Sequence, residues 1–433
     1  MKFSLTKILY ISYDGLTDPL GQSQILPYLK GLAACGFQFT ILSFEKKERF
    51  RKEKETVRKI IDAAKIKWEP LWFTSEPPVI SKIYDRWKLR STALKLQRKE
   101  KFDMVHCRSY VPAEIGLLFK KRFGTKFLFD MRGFWADEKR DSSWNVSNPF
   151  FRVIYNHYKK KETQYLRHAD CIISLTNAGK NEMMRWPSYS SSVPIEVIPT
   201  CTDTDLFSLT DEEQKGRSRE KLGISNDALV ISYLGSIGTW YMIDEMLLFF
   251  KNLKSKFPSA KFLFITQTPP SVIEKKIVES NFDKADFIIR EASRNEVPFM
   301  VKASDINISF IKPVYSKISS SPTKLGEVLA MGIPVICNSG VGDVEEIVRG
   351  TGSGFVIDAF KEKDFDEAIQ AIPRLLQISP LSIRNAVKDI FSLQKGIESY
   401  LSCYLSISRK DTPVPAVSVT TRTDPNETLN KNV

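Results

Sequence analysis

One local pattern occurs twice in this chain and limits the fold more than any other feature: an apolar strand, a glycine-containing loop, an amphipathic helix and a second apolar strand. In the first copy, a strand at 7–12 meets a loop holding Gly15 and Gly21. A helix over 23–35 follows, with Ile25, Leu29, Leu32 and Ala33 at helical spacing until Gly36, and then a strand at 39–44. The pattern restarts with a strand at 230–234, the loop Gly235-Ser236-Ile237-Gly238, a helix over 243–257 and a strand at 261–266. Strands that are apolar throughout and joined through helices belong to parallel sheets covered on both faces. The expected fold class is therefore α/β, with two doubly wound, Rossmann-like domains facing each other across a cleft. The length of 433 residues suits two domains of about 200 residues each. We divide the chain into a first domain at 1–204, a second at 205–392 and a helix at 393–409. That helix carries Ile397, Tyr400, Leu401 and Tyr404 on one face, and a tail at 410–433, rich in Pro, Thr, Ser and Asn, is expected to be disordered.

Several function classes can be set aside. No apolar run is long enough to span a bilayer and no signal peptide is evident. Six cysteines lie scattered without C-x-x-C pairing, which suits a reducing, cytoplasmic setting. The three histidines, His106, His157 and His168, have no partner at metal-ligand spacing, so no metal site and no resident cofactor is expected. Charge is divided unevenly. Residues 1–200 hold 36 Lys and Arg against 21 Asp and Glu, and the remainder holds 28 against 30. A basic half attracts anionic lipid, nucleic acid or phosphorylated substrates, or simply solubilises the surface.

In open parallel sheets, ligands bind beyond the carboxyl ends of strands. The loop 14–23 places Gly21 ahead of the expected helix, where free N–H groups can meet an anion; a plain turn with a helix cap reads equally well. Gly235 and Ser236 open a loop fit to cradle a diphosphate, although G-x-G-x-x-G is absent. The most specific segment is Ser319-Ser320-Ser321-Pro322-Thr323-Lys324-Leu325-Gly326-Glu327. Hydroxyls and a proline leave the N–H groups of the first helical turn open to phosphate oxygens, and Lys324 adds a charge beside them. Glu327, about one turn on, can accept both hydroxyl hydrogens of a ribose. Ordinary capping explains the same residues without any ligand.

Residues 321–336 resemble the donor-site helix of retaining glycosyltransferases of family 4, of the group 1 type, which have the GT-B fold. Further resemblances fall in chain order at 7–36, 197–207, 233–244 and 303–306. The resemblance implies a nucleotide-diphosphate sugar as donor, with Glu327 on its ribose. The turn Ser320, Ser321, Thr323, Lys324 and Leu325 would then face sugar and diphosphate. It further implies retention at the anomeric carbon, no required metal, and a last helix that crosses back to the first domain. Two positions depart from the family. Ser319 stands where a carboxylate usually touches the donor sugar, and the loop 235–241 lacks the usual Arg and Lys, leaving Lys324, Arg290 and the helix N-terminus to meet the leaving group's charge.

On the acceptor side, the strand 127–131 delivers Asp130, Arg132 and Asp137 toward its carboxyl end. Asp130 or Asp137 can serve as a base for the acceptor hydroxyl, unless the donor phosphate does so or the Asp–Arg pair is merely structural. His106 and Arg108 form a second acceptor-side pair. Over 79–101, Ile80, Ile83, Tyr84 and Trp87 lie among basic residues, as in a helix resting on an anionic membrane surface or one packed on its own domain. The leading expectation is a glycosyltransferase acting on a sugar or lipid-linked acceptor, such as a glycolipid or surface-polysaccharide precursor, peripheral on the cytoplasmic face. The alternatives are a nucleotide-sugar epimerase and a non-catalytic nucleotide-sugar-binding partner protein. Nucleic acid is not expected as a partner.

Overall fold

The computed structural model describes residues 6–408. The tail expected at 410–433 lies outside the described residues, as does position 409. The first sheet contains β1 (Lys7–Ser12), β2 (Gln38–Glu45), β3 (Lys67–Trp72), β4 (Met104–Arg108), β5 (Lys126–Asp130), β6 (Cys171–Ser174) and β7 (Ile195–Val197). They are ordered β3-β2-β1-β4-β5-β6-β7 and every pairing is parallel. The second contains β8 (Val230–Leu234), β9 (Lys261–Ile265), β10 (Phe287–Arg290), β11 (Ile306–Ser309), β12 (Val335–Asn338) and β13 (Gly354–Ile357). Its order is β10-β9-β8-β11-β12-β13, again wholly parallel. Two doubly wound sheets are thus present. The order in which strands are added reverses between β1 and β4 in one sheet and between β8 and β11 in the other, the kind of switch point at which ligands bind in open parallel sheets.

Alternate side chains of each central strand enter opposite cores. Leu9 and Ile11 face one apolar layer while Ile8 and Tyr10 face the other; Val230 and Leu234 are likewise opposed to Ile231 and Tyr233. Burial on both sides explains why these strands show no polar alternation.

The helix expected over 23–35 is two helices, Pro19–Gln24 and Leu26–Ala34, broken at Ile25 (φ −124°, ψ −64°). Pro27 has no N–H for the Ser23 carbonyl and its ring crowds that carbonyl, so the first helix cannot run through it and the chain restarts with the proline in the first turn of the second. Soon after the boundary expected at 204, Glu212–Leu222 is helical, capped by the Asp211 carboxylate on the Gln214 N–H at 2.7 Å. The last helix, Leu393–Ser408, packs on Leu26–Ala34 of the first domain. Tyr400 meets Tyr28 edge to face at 5.4 Å, and Tyr404 meets Phe37 at 5.2 Å.

All six cysteines are free thiols. Among the described residues no helix is long and apolar enough to cross a membrane, and no group of His, Cys, Asp and Glu is arranged to hold a metal ion.

Candidate active site

Of the candidate donor-side residues, Gly235, Lys324 and Glu327 lie together near the reversal point of the second sheet. Helix Thr323–Ala330 begins at Pro322, which supplies no side-chain cap, so its first-turn N–H groups lack the usual side-chain acceptor. Glu327, only 5% exposed, accepts a hydrogen bond on Oε1 from Arg294 Nη1 at 3.0 Å. Oε2 makes no hydrogen bond among the described residues. Burial raises the Glu327 pKa, with Arg294 and then Lys324 opposing. Lys324 Nζ donates to the Tyr241 hydroxyl at 2.9 Å and sits 4.6 Å from that ring's centre. Its stem crosses Gly235, where an added Cβ would lie 2.5 Å from Nζ; Gly235 itself has φ +142°. The glycine is needed both for its backbone angle and for the lysine's passage. Lys324 is thereby brought against the loop that lacks its own cation.

Other donor-side candidates have different placements. The Ser236 carbonyl accepts from the Tyr233 hydroxyl at 2.8 Å. Ser321 Oγ accepts from Thr200 N at 3.2 Å and shares a bond with Thr200 Oγ1 at 3.0 Å, so it faces the first domain. Ser320 donates its N–H to Lys317 O at 3.1 Å, Thr323 opens the helix, and Leu325 belongs to the apolar core. Arg290 ends the edge strand β10, exposed, with Nη1 on its neighbour Ile289 O at 2.9 Å. The arginine that reaches Glu327 is Arg294, four residues later. The rule that loops after strands carry ligands, applied also to β10, would have found it.

Gly21 does not precede its helix but lies in the first turn of the short helix Pro19–Gln24. A Cβ there would collide with the Gly15 carbonyl. The loop's N–H groups are also occupied: Leu16 N donates to Glu45 Oε1 at 2.8 Å, Thr17 N to Glu45 Oε2 at 3.1 Å, and Gly15 N to Asp18 Oδ2 at 3.3 Å. The fully buried Glu45 carboxylate fills the role expected of an anionic ligand.

On the acceptor side, Asp130, His106, Arg108 and Arg132 are assembled at the reversal point of the first sheet. Asp130 Oδ2 accepts from Tyr400 Oη at 3.0 Å and lies 3.3 Å from His106 Nε2, while His106 Nδ1 meets Tyr404 Oη at 2.7 Å. Two tyrosines of the last helix therefore complete this cluster, a role their helical spacing alone did not disclose. Burial lowers the His106 pKa, and the neutral ring suits Nε2–H donating to Asp130 and Nδ1 accepting from Tyr404. Burial by itself would raise the Asp130 pKa, but Arg132, His106 and Arg108 outweigh it and the net shift is downward. Asp137 is elsewhere. Its carboxylate is held by Tyr155 Oη at 2.8 Å, Lys159 Nζ at 3.1 Å and Arg140 Nη1 at 3.2 Å. It is an ion-paired structural group that the structure does not bring to Asp130.

The short helix Tyr315–Ser319 joins the two sides. Ser319 Oγ accepts from Phe134 N at 2.8 Å and donates to Ser316 O at 3.0 Å, so its hydrogen-bonding capacity is directed into the domain contact. Lys317 pairs with Glu138 at 3.0 Å, and Tyr315 Oη donates to Glu182 at 2.8 Å.

Comparison with known proteins follows this division. The model for Glycosyltransferase Family 4 matches residues 24–206, and that for Glycosyl transferases group 1 matches residues 214–377. No curated protein matches the chain. Among solved structures, sucrose-phosphate synthase from Thermosynechococcus elongatus superposes with a TM-score of 0.69 at 15% identity, covering 93% of this chain and 99% of its own. Anabaena HepE in complex with UDP and glucose gives 0.68 at 14%, with 93% and 100% covered. WaaG, a glycosyltransferase involved in lipopolysaccharide biosynthesis, gives 0.64 at 13%, with 92% and 99% covered. At such identities these likenesses establish the fold alone. With both family models met in order across the two sheets, the chain belongs to the GT-B glycosyltransferases that pair a family 4 domain with a group 1 domain.

Proposed function

We propose that this glycosyltransferase takes a sugar from a nucleotide-diphosphate donor held in the second domain and transfers it, with retention and without a required metal, to an acceptor resting on the first. The observation that carries the reading is Glu327, buried within a turn of an uncapped helix start, beside Lys324 laid across the Gly235 loop. A carboxylate oxygen free to accept suits ribose hydroxyls, and the N–H groups with Lys324 suit a diphosphate. Anabaena HepE, with UDP-glucose, has the same fold. In a retaining transfer, negative charge builds on the departing phosphate while the sugar becomes cation-like, and Lys324 offsets that charge.

The acceptor is a glycolipid or surface-polysaccharide precursor met at the cytoplasmic face of an anionic membrane. Support comes from the helix Pro78–Glu100, where Ile80, Ile83 and Trp87 are each more than 60% exposed amid a basic domain, and Tyr84 stacks on Trp87.

Thermal melts with nucleoside diphosphates and their sugar conjugates, without metal, test the donor site. A ligand at a hundredfold its Kd adds about 2.7 kcal/mol, and one base series should raise the melting temperature. Glu327→Ala should weaken that ligand by about 1.5–3 kcal/mol. Unchanged affinity in the folded variant would overturn the role of Glu327. Product NMR then reads the anomeric configuration.

A further inference from the structure

The floor of the cleft on the first domain holds two guanidiniums whose carboxylate neighbours stand off beyond good hydrogen-bond distance. Arg108 ends β4 at the reversal point of the sheet and is 5% exposed. Its Nε and Nη1 are buried and make no hydrogen bond. The nearest carboxylates stand off, with Asp14 Oδ2 at 3.5 Å from Nε and Asp130 Oδ2 at 3.9 Å from Nη1. Arg132 approaches the same Asp130 from its other oxygen, Oδ1, at 3.8 Å, and its guanidinium makes no hydrogen bond among the described residues. Asp130 Oδ1 is itself buried without a hydrogen bond. The turn that sets Arg132 there is strained, with φ +56° at Arg132 and +120° at Gly133.

Two guanidiniums thus face one buried carboxylate, Asp130, and one that is nearly half exposed to solvent, Asp14, while His106 has its pKa depressed by burial and adds no negative charge. The Tyr10, Tyr28 and Tyr400 phenols nearby have pKa values pushed above their ordinary value, chiefly by burial, and bring no negative charge at neutral pH. A buried guanidinium held only by ion pairs at the edge of hydrogen-bond reach, with the Tyr10 phenol beside it, keeps N–H donors unsatisfied at a cost on the order of 1–3 kcal/mol, which an incoming anion would relieve. A guanidinium presents its N–H groups as a fork matched to two oxygens of one anion.

We propose that Arg108 and Arg132 form an anion site that binds a phosphate ester carried by the acceptor, fixing the acceptor hydroxyl against the donor sugar. The inference rests on the reading above that the acceptor lies on the first domain. It adds the acceptor's chemical class, and it gives Arg132, set beside Asp130, a binding task.

The test uses the full chain saturated with UDP, so that the donor-side phosphate position is filled, titrated with inorganic phosphate and with a hexose 6-phosphate while 31P line width is followed, and with the neutral hexose as a competitor of the bound hexose 6-phosphate. Saturable binding of both is expected, with the neutral hexose at least tenfold weaker than its phosphate. Arg132→Gln and Arg108→Gln should each weaken the phosphate at least tenfold. Because Arg108 is buried, each variant is first melted; if Arg108→Gln does not fold, Arg132→Gln decides alone. Phosphate binding that disappears under saturating UDP, that survives in folded Arg132→Gln, or that the neutral hexose equals would overturn the proposal. UDP binding itself, recorded in the same samples, reports separately on the donor site.

Discussion

At the residue scale, His106 shows how a candidate can be in the site and still act as scaffold. Burial holds its pKa below the ordinary 6.5, so between the folded and unfolded values the unfolded chain binds more protons. The stability His106 contributes is present above about pH 6.5 and is lost as pH falls toward its folded value. Melting temperatures from pH 7.5 to 5 should fall, and His106→Asn should flatten that decline. His157 and His168, also lowered by burial and neighbouring cations, should retain the rest of it. Equal slopes in the two proteins would remove His106 from the acid response. The charged members of this cluster were legible because each sits at a strand's carboxyl end. Tyr400 and Tyr404 were not, since they arrive from 270 and 298 positions away, and helical spacing reveals a buried face without naming its partner. The same gap separates Arg290 from Arg294. A charge can be read from sequence, but whether it turns toward Glu327 or toward solvent is decided by a loop's path.

At the element scale, the strands were legible because burial on both faces writes an apolar run into each. The two-helix break at Ile25 was hidden by apolar spacing that continues through it, although Pro27 marked the place. Closest packing was not legible at all. The last helix lies so near the first domain that a Cβ at Gly396 would stand 2.7 Å from Cys201 Sγ and 2.8 Å from Tyr28 Cε1. Gly396→Val should therefore cost about 1–3 kcal/mol by overpacking. Gly216 is the contrast: it lies within helix Glu212–Leu222 with nothing inside 4 Å of an added Cβ, so Gly216→Ala should add about 0.5–1 kcal/mol from backbone entropy alone. Denaturant unfolding reads both. A neutral Gly396→Val would mean that the crossing helix is not pressed against Cys201 and Tyr28.

At the scale of the whole molecule, one of the contacts between the two domains is a helix end capped from across the cleft. Asp343 of the second domain accepts from Asn177 N at 2.6 Å and Ala178 N at 2.8 Å, at the start of helix Asn177–Arg185. Thr176, the cap residue of that helix, accepts from Gly179 N and donates to Ile318 O at 2.8 Å. Anionic caps stabilise a helix N-terminus through its unpaired N–H groups and dipole. Here the acceptor belongs to the other domain, so the cap exists only while the domains touch, and its free energy favours closure. Removing it at this half-exposed site should cost the closed form about 1–2 kcal/mol, a factor of roughly 5–30 in the closed-to-open ratio. Small-angle scattering of Asp343→Ala should accordingly give a larger radius of gyration than the parent without ligand. Nucleoside diphosphate should reduce the difference if donor binding draws on the same closure. Asp343→Asn, which keeps an acceptor and loses the charge, should fall between the two. Identical scattering from all three would show that the short helix Tyr315–Ser319, with Ser319 on Phe134 and Lys317 on Glu138, holds the domains together without the cap.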